Sequence, residues 1–72
     1  MNYNIDIYGM PNSQAMIKLI NELDQINFNE ETIAYVKIDK AGNAISEAIQ
    51  SLQYNKYLFQ VGNGQIIVNG KL

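Results

Sequence analysis

Tyr3, Ile5 and Ile7 alternate with Asn4 and Asp6, the period-two pattern of a strand with one buried face, and the stretch Tyr3–Gly9 reads as a first strand. Pro11 suits a first helical turn because its fixed φ is already helical and its missing N–H would have no partner there. Asn12 or Ser13 is placed to cap that helix with a side-chain oxygen. Met16, Leu19, Ile20, Leu23 and Ile26 then recur three or four apart, which gathers them into one apolar stripe. After the polar break Asn27-Phe28-Asn29-Glu30, the run Thr32–Ile38 is apolar on both faces and rich in β-branched and aromatic residues. It reads as a second strand, parallel to the first because a helix separates the two.

Asp39 to Asn43 supplies turn and capping residues, and Ile45, Ala48, Ile49 and Leu52 mark a shorter amphipathic helix ending near Gln53. Tyr57–Val61 reads as a third strand and Ile66–Val68 as a fourth. Between them, Asn63-Gly64 is a strong hairpin signal, expected as a turn with φ > 0 at both central positions. A second Asn-Gly pair, Asn69-Gly70, leads to Lys71-Leu72. The expected order is βαβαββ in a single domain spanning 1–72, an α/β fold with a small mixed sheet and two helices.

Composition narrows the role. A 72-residue chain buries only about 60% of the surface its unfolded form exposes, so its core is marginal. Chains this small use disulfides, a structural metal or association as support, and there is no Cys or His for the first two. Self-association, as in a homodimer, or a protein partner remains, unless the 47% hydrophobic content suffices for a monomer. The formal charge is −2, and all five cations are lysines, scattered at Lys18, Lys37, Lys40, Lys56 and Lys71. Nucleic-acid binders cluster Lys and Arg on one face, so no nucleic-acid partner is expected. No stretch approaches the about 20 apolar residues of a membrane span, and the N-terminal residues lack a signal-peptide pattern. A cytoplasmic protein with no membrane partner is expected. Heavy use of Asn, Ile and Lys without Arg suits AT-rich coding, as in a low-GC bacterium or its phage.

The opening Ile7-Tyr8-Gly9-Met10-Pro11-Asn12-Ser13-Gln14-Ala15-Met16 resembles the active-site entry of the glutaredoxin branch of the thioredoxin fold, with Ser13 and Met16 where that family has its two cysteines. Gln65-Ile66-Ile67-Val68-Asn69-Gly70-Lys71 is similar to the stretch after the family's cis-proline, which sets Gly64 at the proline position. A second register sets Phe59-Gln60-Val61 there instead. The resemblance implies a thioredoxin-like sheet. It also implies a peptide or glutathione groove at Met10, Pro11, Asn12, Ser13 and Met16 that has lost disulfide exchange.

The chemistry agrees with that loss. Thiol exchange needs a thiolate, and Ser13 has no histidine to act as its base, so it reads as a helix cap. Glu30, Glu31 and Asp39 match no calcium-loop spacing, and neither a metal nor a cofactor is expected. Gly62-Asn63-Gly64 lies between strands and lacks the following helix that a phosphate loop needs.

Aromatic residues point instead to a surface. Tyr54, Tyr57 and Phe59 gather near the third strand, and tyrosine combines apolar area with a polar tip. The expected role is a non-catalytic protein–protein interaction module, such as a phage or mobile-element protein acting on a host protein. Its surface would be Tyr57 and Phe59 with Ile66, Val68 and Tyr54, where a family helix would otherwise cover the sheet. Two alternatives stand beside it: a degenerate glutaredoxin-like ligand or peptide binder, and a self-assembling structural protein that adds strands at a free Ile66–Val68 edge.

Overall fold

In a computed structural model describing all of residues 1–72, the alternation of Tyr3, Ile5 and Ile7 becomes an edge strand, β1 (Asn2–Asp6). It is followed by α1 (Asn12–Asp24), β2 (Ile33–Lys37), α2 (Ala44–Tyr54), β3 (Tyr57–Gly62) and β4 (Gln65–Lys71). The βαβαββ order and the mixed sheet are as expected. β1 and β2 are parallel, β4 runs antiparallel to both β2 and β3, and the spatial order is β1-β2-β4-β3.

That order decides where the helices go. β3 has the same direction as β2, since each is antiparallel to β4. The crossovers β1–α1–β2 and β2–α2–β3 therefore step the same way across the sheet, and two right-handed crossovers in one direction place both helices on one face. α1 and α2 touch each other and share one core with the sheet. The result is a two-layer slab measuring 32 × 21 × 16 Å. Open α/β sheets form a ligand crevice where the winding direction reverses, and this chain has no reversal.

The core lies between the layers. Ile5, Ala34, Val36, Ile66 and Val68 from the sheet, with Ile7 and Ile38 just past the ends of β1 and β2, meet Ala15, Leu19 and Leu23 of α1 and Ala44, Ala48 and Leu52 of α2. The α1 stripe is thus centred on Ala15, Leu19 and Leu23, with Met16, Ile20 and Ile26 packed along its sides. Ala15 is small enough to bring the helix close to the sheet.

Several expectations change in detail. Pro11 occupies the N-cap position just before α1, and neither Asn12 nor Ser13 makes a side-chain cap bond. The Asn12 amide instead donates to the Glu47 carboxylate and ties the start of α1 to the first turn of α2. In the hairpin only Gly64 has positive φ, at 73°, so Asn63 stays in ordinary backbone space and the turn is not of the doubly positive kind. β4 runs on through Asn69 and Gly70 to Lys71, because a bulge absorbs Asn69 where the partner of β3 jumps from Gly70 at Leu58 to Val68 at Phe59.

The largest correction concerns β4. It was expected to offer a free edge at Ile66–Val68, yet it lies between β2 and β3, and the free edges are β1 and β3.

Candidate functional site

Of the five residues expected to form one surface, four lie on strands and face the helices, and the fifth lies on α2. Ile66 and Val68 are 0% exposed and face the helices, so they form the core and cannot contact a partner. Tyr57 is 4% exposed, and Phe59 packs against the core from the helix side. Tyr54 is 86% exposed at the last residue of α2, outside the sheet. Strand periodicity accounts for the burial of the four: residues two apart share a face, and that face holds the helices.

The opposite face holds the intervening residues. Asn4 pairs with Tyr35, Tyr35 with Ile67, and Ile67 with Gln60, giving one continuous row across all four strands. A second row runs Asp6, Lys37, Gln65 and Gly62. On the other side of the central row, Ile33 follows the parity of Tyr35, and Leu58 lies between the inward-facing Tyr57 and Phe59. Ile33, Tyr35 and Ile67 are half-buried without packing on the core, and Leu58 is 42% exposed. This face therefore has an apolar centre of Ile33, Tyr35, Ile67 and Leu58 within a rim of Asn, Gln, Asp6 and Lys37. A groove of about 440 Å³ runs along it beside Asn4, Tyr35, Lys37 and Gln65.

The opening turn has a different geometry. Gly9 takes φ 77° and donates its N–H to the Asp39 carboxylate at 3.2 Å, while the N–H of Tyr8 bonds Asp6 Oδ1 at 3.0 Å. Lys37 Nζ lies 5.4 Å from the Tyr8 ring centroid. Both carboxylates are thus engaged in fixing the chain between β1 and α1. None of the three cavities is lined by Met10, Pro11, Asn12, Ser13 or Met16. Ser13 is exposed and Met10 and Met16 pack on the core, so these five residues make the end of a turn and the start of α1, with no cavity beside them.

A wider cleft, about 590 Å³, opens between the end of α1, the following loop and the ends of β3 and β4. Within it the Tyr57 hydroxyl donates to the Asp24 carboxylate, and Lys71 Nζ lies 3.5 Å from the same carboxylate and 4.7 Å from the Tyr57 ring centroid. The Phe28 ring meets Tyr57 edge-on at 6.1 Å between centroids. These contacts fasten the sheet to α1.

No family model, curated protein or solved structure matches the chain. Each surface is therefore defined by its own side chains.

Burial pushes the Tyr57 phenol well above the ordinary tyrosine value of 10.0, and the hydrogen bond to Asp24 and its negative charge add to the effect. A phenol held neutral in this way is a structural donor. Because its pKa is raised in the folded state, its contribution to stability is complete below the unfolded value and is lost as pH climbs above it toward the folded one. Unfolding free energy measured across that alkaline range should therefore decline more steeply in the wild type than in Tyr57→Phe. Parallel profiles would show that the phenol does not contribute. No helix is long and apolar enough to cross a membrane, and no three His, Cys, Asp or Glu side chains converge as a metal site.

Sequence reasoning anticipated an uncovered sheet face and missed its residues. The signal was present in Thr32–Ile38, which is apolar on both faces: in a two-layer fold such a strand must turn one apolar side outward.

Proposed function

We propose that this chain is a non-catalytic interaction module whose uncovered sheet face receives an amphipathic helix from a partner protein. The observation that carries this reading is the row Asn4–Tyr35–Ile67–Gln60, with Ile33 and Leu58 beside it, on a face that no element of the chain covers. An exposed apolar patch with a polar rim has the layout of an association surface.

Size selects the occupant. Four strands about 4.8 Å apart and five residues rising about 3.3 Å each give a face on the order of 300 Å². Whole-domain interfaces use about 800 Å² per partner, whereas one helix is about 10 Å across. A single helix laid on the face would complete a three-layer arrangement. Asp6 and Lys37, paired at one end of the face, can meet a charge of either sign on the helix flank. A phage or mobile-element protein that captures a helix of a host protein is the biological form this takes.

The test lets the protein choose its surface. Helical peptides are selected by display against the wild type, and the best binder is titrated calorimetrically against Ile67→Asp. Loss of binding in that variant is expected, since a buried unpaired carboxylate opposes docking. Unchanged affinity would remove the sheet face from the account.

A further inference from the structure

The two free edges of the sheet are not alike. At β1, Lys18 Nζ donates to the main-chain carbonyl of Asp6 at 2.9 Å and lies 3.8 Å from Glu22, and Glu22 lines one cavity with Tyr3, Asn4 and Ile5, so charged side chains of α1 guard that edge. Charged side chains of this kind stop one sheet from templating another. β3 has no such guard. Its six residues, Tyr57-Leu58-Phe59-Gln60-Val61-Gly62, include no charge and no proline, and Leu58 and Val61 are 42% and 45% exposed. The bulge beside it places its extra residue on β4, which leaves β3 a continuous strand.

We infer that β3 pairs antiparallel with β3 of a second copy, joining two four-stranded sheets into one of eight strands. Antiparallel pairing of a strand with its own copy is isologous, so its hydrogen bonds are self-complementary whatever the side chains. Charge favours this direction. Lys56, just before β3, then lies beside the uncharged Gly62-Asn63 end of the other strand, whereas parallel pairing would set Lys56 against Lys56. A second copy also supplies the support that a 72-residue chain without Cys or His lacks.

The guarded β1 edge decides the stoichiometry. With one open edge per chain, pairing closes at two and cannot grow into a filament. The dimer uses the backbone edge of β3, not the Tyr35–Ile67 row, and leaves that row free on both subunits.

Sedimentation equilibrium from micromolar to millimolar concentration tests this. The expected species has twice the 8.1 kDa chain mass, with nothing larger. Val61→Lys should raise the dissociation constant at least about tenfold while the far-ultraviolet dichroism stays the same. Ile67→Asp should leave the dimer intact, which separates this inference from the helix-binding one. Hydrogen exchange of the wild type gives a second readout: protection of the alternate amides in Leu58–Val61 that point away from β4 should rise with protein concentration. A monomer throughout, growth beyond two, a dimer indifferent to Val61→Lys, or concentration-independent protection would each overturn the inference.

Discussion

Replacing Ile66 by alanine is expected to cost about 2–5 kcal/mol of unfolding free energy, whereas the same replacement at the adjacent Ile67 should cost less than about 1 kcal/mol. Ile66 is 0% exposed between Val36, its partner on β2, and the helix layer, so truncation leaves a void in the centre of the slab. Ile67 faces the other way, and its removal exposes no interior. The difference matters because a chain of this length has roughly 4–11 kcal/mol in total at the usual stability per residue. Ile66→Ala should thus consume a large part of the stability, and partial unfolding at room temperature is the expected result. Urea denaturation of the two variants gives both numbers. Equal losses would mean that the sheet is covered on both sides, which the fold described above does not allow.

The second large effect concerns binding. Tyr35 is central to the open face, paired with Asn4 on one side and Ile67 on the other. Its ring supplies the kind of broad apolar contact with a polar tip that dominates interface energetics. Tyr35→Ala should weaken the selected helical peptide by about 2 kcal/mol, roughly a thirtyfold loss. Tyr54→Ala should leave affinity unchanged, because Tyr54 sits alone at the end of α2. A reversed pattern would transfer the working surface to the helix layer. The same titrations bear on the opening turn, where Ser13→Ala should be silent for peptide binding.

How far the sequence reaches can be seen by comparing these residues. Element order and the α1 face were legible because amphipathic spacing reports directly on burial: Leu19 and Leu23 fall where the stripe places them. Helix capping was less legible. Asn12 is a good capping residue in isolation, but the Glu47 carboxylate from α2 competes for its side chain, and that partner is 35 positions away.

The parallel β1–β2 pair and the β3–β4 hairpin were legible, but which strand of the hairpin lies inside the sheet was not. Ile66-Ile67-Val68 has the same composition at an edge as in the middle of a sheet, and only the placement of β4 between β2 and β3 made Ile66 and Val68 core. Tyr57 misled for a related reason: its polar tip suits an interface, but the fold brings Asp24 and Lys71 to meet it. The likeness of Met10–Met16 to a thiol active site rests on a strand, a turn and a helix start. Those features serve local geometry here, with Gly9 bonded to Asp39 and Pro11 at the N-cap position.

Amide chemical-shift mapping of the isotopically labelled protein during titration with the display-selected helical peptide tests the central claim most directly. The account predicts the largest shifts at Asn4, Tyr35, Lys37, Gln60 and Ile67, in rows across the sheet, with the amides of α1 and α2 little changed. Largest shifts at Met10–Met16, or around Asp24, Phe28 and Tyr57, would contradict it.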